Sequence, residues 1–295
     1  MELVELRVRS RIPKAELDKK VGRILTEADY NVRLTGATKV VGPGGQPLAI
    51  YLPGILSGSL NEEHYPVLHG IDVATKQRGL ASGSRGYRRS YRSGEFWAAN
   101  TVRSATIGSF DNGNNNHRFP YCRTTAWTGK HTEEFSSLYP LFQHIGELMQ
   151  QYAPQRYAVQ WARAEATDPA WRVQGTPFTT MTVNNTYPTG VHVDKGDLDG
   201  GFSCLAVWRR GQYTGGHLTF PEWRIAVDLQ DGDLLLMDAH QWHGNTALEL
   251  QSEDAERISL VLYYRTAMLD CGTMEEEITK RRTAKIRPLS PGKGL

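Results

Sequence analysis

Five side chains in the second half of the sequence are of types that hold a metal and a carboxylate. His192 and Asp194 stand one residue apart, His243 lies well downstream, and Arg257 and Ser259 follow. Two imidazoles and one carboxylate form the facial ligand set of a non-haem Fe(II) site, which leaves positions open for O2 and a co-substrate. An arginine nearby is the usual partner of a carboxylate, because its planar fork donates two parallel charge-assisted hydrogen bonds. The set points to Fe(II), O2 and a 2-oxo acid. Zinc is the rival metal, since two histidines and a carboxylate also suit a zinc hydrolase, but such an enzyme has no use for the Arg257/Ser259 anchor. A lone His-x-Asp is common and usually marks a surface turn. What favours a metal here is the ordered set: HVD, then DGDLLLMD, then HG, then RIS. His217, in GGHLTF, and His240 are rival ligands. His217 follows two glycines and is expected to begin a strand facing solvent or substrate; His240 is expected in the loop leading to His243.

The spacing requires a β scaffold. Residues i and i+2 of a strand share a face, so one strand can present both His192 and Asp194. Residues 233–238 (DLLLMD) supply a second strand, and residues 257–264 (RISLVLYY), β-branched and aromatic, the strongest one. Between them lie strands at 203–208, 218–220 and 224–229, separated by turn signals at Arg210-Gly211, Gly215-Gly216 and Asp231-Gly232. Many short strands with regular turns read as a double-sheet jelly roll. Upstream, residues 1–11 alternate like a strand, residues 14–29 have helical spacing through Leu17, Val21 and Leu25, and residues 31–56 read as short strands broken at GPGG. Residues 131–151 carry an apolar helical stripe, with Pro140 in a first-turn position so that the helix starts late. A short charged helix follows Asp270.

The 295 residues carry 34 basic and 32 acidic side chains, a net charge of only +2, so global charge says nothing about partners. The domain reading is one unit over 1–295: an N-terminal extension with a basic stretch (1–130), a helix plus catalytic core (131–270) and a charged tail (271–295). Cys122, Cys204 and Cys271 are far apart and form no CxxC, so they read as free thiols in a reducing compartment. With no apolar leader or membrane-length run, the expected location is intracellular, cytoplasmic or nuclear, with no membrane partner. From Lys76 to Lys130 ten basic residues face only Glu95 and Asp111, with glycine, serine and tyrosine interleaved (GSRGYRRSYRSG). Arginine on flexible backbone suits phosphate contacts, and Tyr87 or Tyr91 could stack on a base. A solvated loop is the bland alternative.

VNNTYPTGVHVDKGD (183–197), DGDLLLMDAHQWHGNT (231–246) and RISLVLYYR (257–265), with CRTTAWT (122–128) upstream, resemble the Fe(II)/2-oxoglutarate dioxygenases. Within them the chain looks most like the ten-eleven translocation / J-binding-protein group of nucleic-acid base hydroxylases, closer to its thymine-hydroxylating side. The resemblance implies a mainly β fold with flanking helices (α+β), a double-stranded β-helix core, and N-terminal helical and strand extensions. It implies iron held by His192, Asp194 and His243, with the distal carboxylate of 2-oxoglutarate on Arg257 and Ser259. Asn184 or Asn185, on the strand before the ligand pair, would assist its chelating end. Arg123, Asp197, Arg85, Arg88, Arg89 and Tyr87 are the candidate substrate contacts. The expected reaction hydroxylates the 5-methyl group of thymine or 5-methylcytosine, in DNA rather than RNA, and converts 2-oxoglutarate to succinate and CO2. The alternatives are a hydroxylase of a free nucleotide or a protein side chain such as proline, and a non-enzymatic jelly-roll binding module.

Overall fold

Alternation along the strands sets the architecture, because one face of the main sheet is apolar throughout and the other mixes apolar with polar residues. The computed structural model describes residues 1–10, 12–56, 58–71, 103–112 and 119–284. Its strands are Val4–Arg7 (β1), Val32–Leu34 (β2), Thr38–Val41 (β3), Pro47–Leu52 (β4), Ser104–Phe110 (β5), Arg123–Thr124 (β6), Thr180–Asn185 (β7) and Ser203–Arg210 (β8). They continue as Tyr213–Gly215 (β9), Leu218–Phe220 (β10), Ile225–Val227 (β11), Leu234–Met237 (β12), Gly244–Asn245 (β13), Leu248–Leu250 (β14) and Glu256–Tyr263 (β15). Among the described residues a nine-stranded sheet runs β1-β3-β4-β12-β8-β15-β7-β5-β6, and a four-stranded sheet runs β13-β10-β11-β2. The result is the jelly-roll core of the double-stranded β-helix, with strands from the N-terminal part woven into both sheets.

Two apolar clusters follow from the parity of the strands. Ile258, Leu260 and Leu262 of β15, Met181 and Val183 of β7, and Cys204, Ala206 and Trp208 of β8 face outward onto helix Tyr139–Tyr152. That helix buries Phe142, Ile145 and Met149 completely, each worth about 1.5–3 kcal/mol of removed apolar surface. Leu205 and Val207 of β8 and Leu235 and Met237 of β12 face inward, where they meet Leu218, Phe220, Ile225 and Val227 of the smaller sheet. The remaining inward positions of β15 and β7 line a cavity between the sheets.

Three sequence expectations are corrected. The N-terminal helix ends at Lys20 instead of continuing to residue 29. Gly22 takes φ 77, and the backbone beyond it bonds elsewhere: Gly22 donates to Val191, Val191 to Arg23, and Leu25 to Asn245. Those ties outweigh the helical periodicity. In the stretch at 131–151 the main helix, Tyr139–Tyr152, starts late with Pro140 in its first turn as expected; what is corrected is the segment before it, which forms a separate short helix, Thr132–Ser137.

The third correction concerns the cysteines. Cys122 and Cys271 are joined by a disulfide, their Cα atoms 5.7 Å apart across 149 residues of sequence, and only the buried Cys204 is free. The junction is reinforced by Glu277, which accepts from the backbone N–H groups of Cys122 (2.7 Å) and Gly272 (2.8 Å). Linear spacing cannot reveal the pair, because its two ends meet only after the sheet has formed. Titration of unfolded, unreduced protein is expected to find one reactive thiol, rising to three after reduction. Reduction should also cost about 2–4 kcal/mol of stability in thermal melts.

Candidate metal centre

His192 and His243 face each other across an isolated antiparallel bridge, each donating its backbone N–H to the other's carbonyl at 2.9 and 3.0 Å. The ligand pair thus sits on a short bridged segment and not on the regular strand expected from its spacing. Val191 bridges Val21 on one side, and the Asp194 N–H donates to the Ala239 carbonyl at 3.0 Å. Close backbone packing supports this region. A Cβ on Gly190 would lie 2.7 Å from the Gly22 carbonyl carbon, and one on Gly244 2.9 Å from Val191 N. Neither position can carry a side chain without moving the backbone that presents the histidines.

The two imidazole rings stand 4.3 Å apart between centroids. Nδ1 of His192 lies 2.7 Å from the Gly190 carbonyl, and Nδ1 of His243 lies 2.8 Å from that of Gln241. A carbonyl can only accept, so Nδ1 carries the proton in each ring and Nε2 is left with its lone pair. The His192 Nε2 is 3.5 Å from Asp194 Oδ1, and the His243 Nε2 is 3.7 Å from Oδ2. One ligand atom from each of the three residues lies within 4.8 Å of the others. Burial, then the neighbouring His192, pushes the His243 imidazole down to about 4, so it is neutral and able to coordinate near pH 7. The donor set fits a divalent ion.

A cavity of about 740 Å³ opens from these ligands, lined by Arg257, Ser259, Val261 and Tyr263 of β15. Arg257 is only 6% exposed, and burial pulls its guanidinium below the usual arginine range. Among the described residues its Nη2 and the Tyr213 hydroxyl are buried without a partner at hydrogen-bond geometry, although the nearby Tyr213 hydroxyl partly offsets the effect of burial on the guanidinium. A buried cation lacking an anion is unfavourable, so the site fits a ligand carboxylate. Asn184 also lines the cavity; it accepts from Ser104 Oγ at 2.6 Å and donates to Ser259 Oγ at 3.4 Å. Asn185, the next residue of β7, turns to the opposite face and donates to Glu256 at 2.6 Å. Strand alternation therefore removes Asn185 from the candidate co-substrate contacts.

His217, expected to begin a strand facing solvent or substrate, stands directly before β10; it pairs with Asp228 at 3.2 Å and its side chain is mostly buried. His240 lies in the loop before His243 and pairs with Asp238 and Asp199. Asp197 lines the cavity and accepts from Ser203 Oγ at 2.6 Å. Arg123 lines it too, its guanidinium 4.3 Å from the Phe119 ring centroid. Arg85, Arg88, Arg89 and Tyr87 lie outside the described residues. Sequence reading missed Tyr263 and Arg265. Arg265 also lines the cavity, pairs with the buried Asp111 and stacks 4.2 Å over Phe110. Tyr263 follows from extending the Arg257, Ser259 alternation to the end of β15, and Arg265 from carrying the same parity two residues further, to an isolated bridge with Asp197.

The fold, the two-histidine, one-carboxylate cluster and the buried arginine together define an Fe(II)/2-oxoglutarate oxygenase. The family model for the Tet/JBP oxygenase domain of the 2OGFeDO superfamily matches residues 106–266, more than half of the 295. The chain belongs to this family, whose cofactors are Fe(II), 2-oxoglutarate and O2. It is 38% identical over 168 residues to the thymine dioxygenase JBP1 of Leishmania braziliensis, covering 56% of this chain and 20% of that protein. It is 35% identical over 166 residues to the thymine dioxygenase JBP1 of Trypanosoma brucei brucei, covering 56% and 19%. The chain thus spans about a fifth of the length of these curated relatives. Among solved structures, NgTET1 in complex with 5mC DNA shares the fold, with a TM-score of 0.59 at 14% identity over 92% of this chain and 99% of that one.

Proposed function

We propose that this chain uses Fe(II), 2-oxoglutarate and O2 to hydroxylate the 5-methyl group of a pyrimidine base in DNA, with release of succinate and CO2. The observation that carries the reading is one cavity holding both a His-Asp-His ligand set and a buried arginine with an unpartnered Nη2. When bound, iron and 2-oxoglutarate supply the oxidising power needed against an unactivated C–H bond. The residues of this chain hold and orient. His192, Asp194 and His243 would take the metal. Arg257, with Ser259, would take the distal carboxylate of 2-oxoglutarate. Asn184, fixed between Ser104 and Ser259, offers its second amide N–H toward the co-substrate.

Thymine is the favoured base, because the thymine dioxygenases share 35–38% identity with this chain. A methyl group inside a duplex is out of reach, so the base must be extruded or the strand single. Arg123 and Asp197 line the cavity where an extruded base would sit. Arg85, Arg88, Arg89 and Tyr87 are proposed as DNA contacts from their sequence context, phosphate contacts positioning the strand without reading it. No helix among the described residues is long and apolar enough to cross a membrane, and the proposed site of action is wherever the cell keeps this DNA.

The test is an incubation of thymine- and 5-methylcytosine-containing oligonucleotides with the protein, Fe(II), 2-oxoglutarate and O2, followed by nucleoside mass spectrometry. The expected result is one added oxygen atom on thymine, matched by succinate. Succinate without a modified base would overturn the DNA assignment and direct attention to free nucleotides or proteins.

A further inference from the structure

On the face of the main sheet opposite the cavity, four residues close a ring of hydrogen bonds around the peptide that carries Arg257. Glu256 accepts from Asn185 Nδ2 at 2.6 Å. The Asn185 side-chain Oδ1 accepts from the Thr186 hydroxyl at 2.9 Å. That hydroxyl accepts in turn from the Arg257 backbone N–H at 3.2 Å, while the Thr186 N–H donates to the Arg257 carbonyl at 2.7 Å. Thr186 thus grips both backbone polar groups of Arg257, and it does so at φ 49. A β-branched residue avoids this left-handed region unless its surroundings hold it there, and such strain concentrates at functional sites. The outer side of the ring is anchored as well. Glu256 accepts from the Tyr65 hydroxyl at 2.6 Å and from His69 Nδ1 at 2.8 Å, both on helix Ser59–His69.

We propose that Glu256, Asn185 and Thr186 are positioning residues that aim the Arg257 guanidinium at the distal carboxylate of the 2-oxo acid. The inference rests on the reading of Arg257 as the co-substrate anchor. Among the described residues the Nη2 of the buried guanidinium has no partner at hydrogen-bond geometry, so that arm is not fixed by one before the ligand arrives. Backbone placement has to supply part of the aim. β8 pairs with Arg257 on one side, through Arg209, but on the other side β7 ends at Asn185 and its register with β15 stops at Ile258, so strand pairing alone would hold the Arg257 backbone from one side only. The Thr186 contacts extend that register by one residue, to the one that carries the guanidinium.

The test compares two probes on protein loaded with Mn(II), by calorimetry without turnover: 2-oxoglutarate, and pyruvate, a 2-oxo acid lacking the distal carboxylate. Thr186→Val removes the hydroxyl at nearly constant volume, and Thr186→Ser restores it. Glu256→Gln is the second variant, should Thr186→Val fail to fold. Thr186→Val and Glu256→Gln are expected to weaken 2-oxoglutarate about ten-fold, with pyruvate and Mn(II) binding unchanged and wild-type affinity in Thr186→Ser. Equal weakening of both probes would mean a merely structural role and overturn the proposal, as would unchanged 2-oxoglutarate affinity in both variants. Should wild-type protein fail to prefer 2-oxoglutarate over pyruvate, the reading of Arg257 itself falls, and the inference with it.

Discussion

Replacing Asp194 by alanine is expected to abolish hydroxylation, by at least about a thousand-fold, and to strip the protein of Fe(II) in a single gel-filtration step. The three ligand residues offer two imidazole nitrogens and one carboxylate, and Asp194 supplies the carboxylate. Changes outside a metal's own ligands already cost about 10–100-fold in affinity, and loss of the only anionic ligand should cost more. The fold itself should be little affected. The Asp194 side chain is 40% exposed and no closer than 3.5 Å to either histidine, so its removal is expected to change metal-free stability by no more than about 0.5 kcal/mol. Metal added to wild-type protein should raise the melting temperature by mass action, and the same addition to Asp194→Ala should not. Metal content after filtration, melts with and without Mn(II), and nucleoside analysis together check the prediction. A variant that retains stoichiometric Fe(II) would exclude Asp194 as a ligand. His240→Ala is the companion control: His240 pairs with Asp238 and Asp199 outside the ligand cluster, and its loss should leave metal content unchanged.

Much of this site was legible because β structure writes itself into sequence with a period of two. The run RISLVLYY separates an apolar series, Ile258, Leu260 and Leu262, from the series Arg257, Ser259, Val261 and Tyr263, and the structure places the two on opposite faces. The choice between Asn184 and Asn185 was open to the same argument. Met181 and Val183 are core residues, which puts Asn185 on the outer face with them and Asn184 in the cavity. Contacts between distant segments were not legible. The Cys122–Cys271 bond joins residues 149 apart, and nothing in the local sequence of either marks the other. The N-terminal helix was over-read for a related reason. Its apolar spacing continues past Lys20, but Val21 and Leu25 are used to bridge Val191 and Thr246 beside the metal ligands. Periodicity reports which residues are buried; it does not say which segment buries them.

Arg257 should separate stability from function more sharply than any other residue of the site. Among the described residues its Nη2 is buried without a hydrogen-bond partner, a costly state for a cation unless an anion completes it. Arg257→Met, which keeps apolar bulk and removes the charge, is therefore expected to make the ligand-free protein more stable, by about 1–2 kcal/mol. The same substitution should weaken 2-oxoglutarate by about a hundred-fold or more, since the distal carboxylate would then enter a closed pocket without its charged partner. Arg257→Lys should fall between them, because an ammonium keeps the charge but cannot reproduce the two-pronged geometry. Kinetically the loss should lie mainly in the KM for 2-oxoglutarate, as the interaction is made before the chemical step and kept through it. Saturating co-substrate should then recover much of the turnover. Paired melts and 2-oxoglutarate titrations on the three proteins read both quantities at once. Opposite signs in the two measurements would mark Arg257 as a charge kept for its ligand at the expense of the fold. A less stable Arg257→Met that binds 2-oxoglutarate normally would show instead that the guanidinium is a structural group.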